Sequence, residues 1–222
     1  MLGDGARTLL AQAAASVGPR TARRRAAYAA VPVPSDLCPE CGHPLHEPAV
    51  AAVPRQLAEL AARYRRVLLA PGPDERLRRR PAPDVWSPLE YAGHVRDVLL
   101  VQRDRVVRAL VEEVPQVVTM HGDQRVDLLA YNDAAPDELA EELEVAARLF
   151  GALVARLDDA QLARRCTYNY PAPAERDLTW VAWHTLHEVR HHLHDVERQL
   201  ADPNATVTPP RGRRRGGGDD ER

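Results

Sequence analysis

Between Trp183 and Val196 the chain reads WHTLHEVRHHLHDV, which puts five of its nine histidines within eleven residues of a segment with helical periodicity. On an α-helix, residues four apart stand one above the other on the same face. His187 and His191 are therefore spaced to close on one metal ion. His94, midway through another amphipathic segment, is placed to arrive from a neighbouring helix as a third ligand. Neutral imidazole is the commonest side-chain ligand for zinc, nickel and ferrous iron. Three protein ligands with one position open mark a catalytic rather than a structural site. His194, Asp195 and Asp97 are candidates to hold the ligands in the required tautomer.

The helices that would carry such a site are readable from periodicity and end signals. From Pro54 the pattern turns helical, and QLAELAARYRRVLLA (Gln56 to Ala70) stops at PGPD. Ser87, Pro88 and Glu90 form a capping-box signature for a second helix reaching about Glu113. Its apolar stripe is Tyr91, Val95, Val98, Leu99, Val106 and Ala109, interrupted by Gln102. A third helix opens at Pro136 or Asp137 and ends near Asp158, and Asp177 caps a fourth that runs to about Ala201. Long connections over 114–135 and 159–177 leave room for crossovers. No strand-like alternation is present, so the expected class is an all-α four-helix bundle.

On the fourth helix, about 100° of rotation per residue gathers Leu186, Val189, Leu193, Val196 and Leu200 on one side. His184, His187, His191 and His194 gather nearly opposite, with Trp180 and Trp183; Glu188 and His192 fall between. Tryptophan is costly to leave in water, so the histidine face is expected to line a pocket or a second packing surface. His187-Glu188-Val189-Arg190-His191 also fits HExxH, in which Glu188 would be the general base of a zinc hydrolase. No third ligand with a turn follows, and no strand is available to hold a peptide.

WSPLEYAGHVRDVL (Trp86 to Leu99), followed some ninety residues later by HEVRHHLHDV (His187 to Val196), resembles the DinB-like superfamily. These are four-helix-bundle proteins related to the mycothiol-dependent maleylpyruvate isomerases, and the N-terminal CPECG is similar to an actinobacterial branch with a knuckle ahead of the bundle. The resemblance spans about residues 36–201. It implies one metal ligand from the second helix, matching His94, and two spaced four apart from the fourth. Two registers satisfy this: His187 with His191, or Glu188 with His192. The histidine and tryptophan face favours the first, and the position of Glu188 and His192 nearer the apolar stripe favours the second; the first is preferred. The resemblance further implies a divalent metal (zinc, with nickel or iron as alternatives) and a transferase that activates a low-molecular-weight thiol of the mycothiol type toward an electrophile. A non-catalytic metal-binding or interaction protein on the same bundle is the alternative.

Cys38-Pro-Glu-Cys41-Gly-His43 has the turn of a zinc ribbon, but a closed site needs four ligands. His43 and His46, Cys166, or another chain must complete it; a redox CxxC and an inert remnant are the other readings. The domain plan is a disordered leader over 1–35, the knuckle over 36–50, the bundle over 54–202 and a disordered tail over 203–222.

Composition narrows the partners. Net charge is −2, and all 30 basic residues are arginines interspersed with acids, which gives no nucleic-acid footprint. No run approaches a membrane span, the N-terminus lacks signal-peptide order, and three cysteines make no secreted disulfide framework. A cytoplasmic monomer or homodimer is expected. Trp86, just ahead of the Ser87 cap, is positioned as a hydrophobic staple. Its replacement by alanine should cost about 3–5 kcal/mol in urea denaturation if the ring is buried. A loss below about 1 kcal/mol, the scale of surface substitutions, would put the ring outside.

Overall fold

A computed structural model describes residues 37–45, 49–169 and 172–202. The expected leader and tail, and His46, lie outside the described residues. Four long helices dominate the described residues: α1 (Val53–Leu68), α3 (Pro88–Val111), α5 (Pro136–Val154) and α7 (Leu178–Ala201). Short helices α2 (Glu75–Arg78), α4 (Gly122–Leu128) and α6 (Asp159–Leu162) punctuate the connections. None of the described helices is long and apolar enough to cross a membrane.

The helix ends follow their chemistry. Ser87 Oγ accepts from the Glu90 N–H at 3.2 Å and Glu90 Oε2 accepts from the Ser87 N–H at 2.7 Å, a complete capping box with Pro88 at the first turn. Glu90 is buried and also receives the Arg80 guanidinium, with Nε 2.7 Å from Oε2. Trp86 is buried at 4% exposure, as its place before the cap requires. The α3 stripe is inside throughout. Its polar interruption is satisfied: Gln102 Nε2 donates to Tyr168 Oη at 2.8 Å, and Arg105 donates to the same oxygen at 2.9 Å. At the start of α7, Asp177 Oδ1 accepts from the Trp180 N–H at 2.8 Å.

The helices pack as a ring in which α1 and α3 each contact both α5 and α7. Consecutive α1 and α3 therefore lie across the ring from one another, as do α5 and α7. The crossovers run through residues 69–87 and 155–177, whereas the connection over 114–135, expected as a crossover, joins the neighbours α3 and α5. The core is built from Leu57, Tyr64, Leu89, Leu99, Leu143, Phe150, Leu186 and Leu193, among others.

One element departs from the all-helical expectation. Within the last crossover, β1 (Arg165–Tyr168) pairs antiparallel with β2 (Ala174–Asp177), in register Cys166↔Arg176. Pro115 and Val117 extend the ladder, exchanging backbone hydrogen bonds with Thr167. Each strand has only four residues, too short for period-two alternation to register. The pair lays Tyr168 against Trp180, ring centres 5.0 Å apart. It thus provides the second packing surface that the tryptophan face needs.

Ser87→Ala removes one half of the capping box and the hydroxyl that donates to Asn132 Oδ1 at 2.8 Å. The variant should lose about 1–2 kcal/mol, the upper part of the N-cap range, read as a lower urea midpoint at unchanged slope. An unchanged midpoint would mean that Pro88 and Glu90 alone fix the start of α3.

Candidate metal centre

Three side chains converge inside the bundle: His94 from α3, and Glu188 and His192 from successive turns of α7. One ligand atom from each lies within 4.8 Å of the other two. His94 and His192 are buried, their rings 5.1 Å apart and nearly perpendicular. Trp86 packs on His94 at 4.8 Å and Tyr91 on His192 at 5.2 Å, an aromatic wall that keeps water from that side. The Glu188 side chain keeps 26% exposure, so the cluster opens along this residue.

Carboxylates surround His192. Its Nδ1 is 3.2 Å from Asp195 Oδ2 and its Nε2 is 3.6 Å from Glu188 Oε2. Burial alone would lower the pKa of His192, but the bonds to Asp195 and Glu188 outweigh it and raise the value to about 9. Burial also opposes the Glu188 charge, yet the bond with His192 and the nearby His184 imidazole hold that carboxyl well below its usual range. His94 behaves in the opposite way. Burial, reinforced by the charge on His192, lowers its pKa to about 3, so its ring is neutral and competent as a ligand. Its Nδ1 is buried without a hydrogen-bond partner, an unsatisfied polar atom that calls for explanation. Two imidazoles and a carboxylate brought together in this way are a donor set suited to a divalent cation.

His187 and His191 go elsewhere. The trio His94, His187 and His191, preferred from the histidine face, is not assembled. About 100° separates each residue from the next on a helix, and α3 packs on the side to which 188 and 192 turn. His187 Nε2 instead lies 3.6 Å from Cys41 Sγ, and His191 Nδ1 lies 3.6 Å from Cys38 Sγ. The knuckle is therefore not completed by its own His43, which joins no such group among the described residues; His46 lies outside them. Cys166, buried in β1, also joins no such group among the described residues. Burial pushes the Cys41 thiol up to about 11, against the low pKa of a redox CxxC.

The remaining candidates take supporting positions. Asp195 contacts both His192 and His191, as expected of a group that fixes ligand tautomers. Asp97 does so for neither; it receives Tyr131 Oη at 2.5 Å and Arg125 Nη1 at 3.0 Å. His184 stacks on Trp180 at 4.6 Å, with Nε2 3.9 Å from Glu188 Oε1. Glu188 thus stands between the donors of the inner cluster on one side and His184 and His187 on the other. The roles of Trp86 and Tyr91 as ring supports had no sequence signal beyond their apolar positions. A groove of about 700 Å³ between α1 and α5, lined by Pro54, Ala61 and Arg148 among others, includes none of the histidines.

The profile of the DinB superfamily matches residues 56–196, from α1 through most of α7. The chain belongs to the DinB superfamily. Among solved structures, this DinB bundle is similar to YfiT from Bacillus subtilis, described as "a probable metal-dependent hydrolase with an unusual four-helix bundle topology". The likeness has a TM-score of 0.59 at 18% identity, covering 68% of this chain and 87% of that one, and it bears on the fold. No curated protein matches. The DinB match spans His94, Glu188 and His192, whereas Cys38 and Cys41 precede it.

Gly122, the first residue of α4, abuts the cluster: a Cβ there would sit 3.3 Å from both His94 Cε1 and Trp86 Cη2. Gly122→Ala should therefore shift the His94 ring while leaving the fold intact. Metal affinity is expected to fall about 10–100-fold, as for other changes that misorient a ligand, with stability within about 1 kcal/mol of the parent. Equal affinity by competition with a chelating dye would mean that His94 does not contribute to binding.

Proposed function

We propose that this chain is a metal-dependent enzyme whose divalent ion is held by His94, Glu188 and His192. The observation that carries the reading is the convergence of these three donors inside the bundle, one ligand atom from each within 4.8 Å of the others, with His94 and His192 buried. When bound, the ion would lower the pKa of a coordinated water or thiol and so supply a nucleophile at neutral pH. The protein's own part is to orient and to exclude. Asp195 fixes the imidazole of His192, the Trp86 and Tyr91 rings close the inner side, and the partly exposed Glu188 marks the side from which substrate enters.

Two nucleophiles fit this frame. Two histidines and a glutamate are the ligand set of several zinc hydrolases, which favours water, and YfiT is described as a probable hydrolase. In that case Glu188 acts as a ligand, and the HExxH assignment of Glu188 as base does not apply. The second reading is transfer of a low-molecular-weight thiol of the mycothiol type to an electrophile, as the resemblance of the Trp86–Leu99 and His187–Val196 segments implies. Zinc suits either nucleophile, and nickel or iron fits the same donors.

A cobalt-loaded Cys38→Ser/Cys41→Ser variant separates the readings, because the two sulfurs that face His187 and His191 then contribute nothing to the spectrum. A visible spectrum that titrates near neutral pH without added thiol supports water as the nucleophile. A sulfur-to-cobalt charge-transfer band on adding mycothiol or a simple analogue supports thiol transfer. Neither response, with the metal retained, would give the cluster a non-catalytic role. Loss of no metal from His94→Ala/His192→Ala would refute the site itself.

A further inference from the structure

The donor atoms of Cys38, Cys41, His187 and His191 all lie within 4.8 Å of one another, and none belongs to the cluster around His94. We infer that these four residues hold a second ion, a zinc in a closed Cys2His2 site that fastens the N-terminal knuckle to α7.

Two of the distances match the edges of a tetrahedral site. Zinc–sulfur bonds of about 2.3 Å and zinc–nitrogen bonds of about 2.0–2.1 Å at the tetrahedral angle give a sulfur-to-nitrogen edge of about 3.6 Å. Cys38 Sγ to His191 Nδ1 and Cys41 Sγ to His187 Nε2 are each 3.6 Å. The ring orientation of His191 agrees. With Nδ1 toward sulfur, its Nε2 lies 3.4 Å from Glu40 Oε2 and 3.6 Å from Asp195 Oδ2. Carboxylates in that position hold the proton on Nε2 and leave the Nδ1 lone pair for the metal. Glu40 comes from within the CxxC itself, so the knuckle supplies both sulfurs and one orienting carboxylate.

Packing gives an independent reason. Within 37–45, Cys38 alone is buried among the described residues, and Leu37 is 53% exposed. The segment has almost no apolar surface to hold it on α7, and metal binding is the usual source of docking free energy in such small elements. Its turn is built for two sulfurs on one side. The Gly42 N–H donates to Cys38 O at 2.8 Å, and Gly42 adopts φ +70° with nothing within 4 Å of a would-be Cβ. Glycine is therefore needed there for its backbone conformation, not for space. Four protein ligands leave no open position, which makes the site structural and takes His187 and His191 out of any HExxH chemistry.

The ligands of the two sites are disjoint, so this inference stands apart from the function proposed for the His94 cluster. The test uses the full chain, purified with zinc and dialysed against a weak chelator. The His94→Ala/His192→Ala variant, in which the inner cluster no longer contributes, should show its zinc bound by two sulfurs and two nitrogens in X-ray absorption. Cys38→Ser/Cys41→Ser and His187→Ala/His191→Ala should each lose one equivalent, whereas His43→Ala/His46→Ala should lose none. His94→Ala/His192→Ala should keep the sulfur-bound ion. The cysteine variant should also be cut by protease within residues 37–45 while retaining its helical circular dichroism, so that metal loss is not mistaken for unfolding. Three outcomes would overturn the site: no sulfur-bound metal in the wild type, a Cys38–Cys41 disulfide in its place, or loss of the ion with His43 and His46 but not with His187 and His191.

Discussion

The rotation of α7 by about 100° per residue is the constraint on which the arrangement depends. Two pairs spaced four apart, 187/191 and 188/192, run along the same two turns but are offset by one residue. They cannot look the same way. The pair 188/192 turns toward α3 and meets His94, while 187/191 turns toward the knuckle. The apolar residues Leu186, Val189 and Leu193 take a further side and are buried in the core. One helix therefore anchors the bundle and presents two separate donor sets. Its rotational setting is held by the Asp177 cap, by Tyr64 donating to Val189 O at 3.1 Å, and by Gln199 donating to Trp86 O at 3.0 Å. The last contact ties α7 to the residue that packs on His94.

Electrostatics divide the two histidines of the inner cluster. His94 sits among rings, and burial keeps it neutral. His192 sits between Glu188 and Asp195, and that pair of carboxylates makes positive charge favourable at a buried point. A buried carboxylate is costly unless paired, and Asp195, buried beside Glu188, is paired by the His192 ring between them. Arg198 contributes at the edge, 3.2 Å from Asp195 Oδ1, which keeps Asp195 directed at His192.

The four helices were legible because each depends on local signals: a cap, a proline at the first turn and a 3.6-residue stripe. The capping box at Ser87 and the Asp177 cap are both formed with the residues that signal them. The residue types of the site were legible too, since histidines spaced four apart have few other uses at that density. The register was not. A helical wheel gives the angle between faces but not which neighbour covers each face, and the tryptophans suggested that the 184/187/191 side faced the pocket. In the fold that side is covered by the hairpin over Trp180 and by the knuckle over His187 and His191. Neither was foreseeable: the strands are too short to show alternation, and the knuckle lies about 150 residues from its histidines.

Ligand chemistry gives the two donor sets different metal preferences on one helix. Two thiolates select zinc and exclude the harder ions, whereas a carboxylate with two imidazoles accepts zinc, nickel or ferrous iron. The closed set needs no access, and it lies where Cys38 is buried and Cys41 half-buried. The inner set needs an open side, and it has one along Glu188. His191 and His192 are adjacent in the chain with rings 5.3 Å apart, and Asp195 approaches both. A metal on the outer set would thereby fix the ring and carboxylate that stand next to the inner one. The knuckle then acts as a brace for the stretch of α7 whose orientation the inner cluster requires.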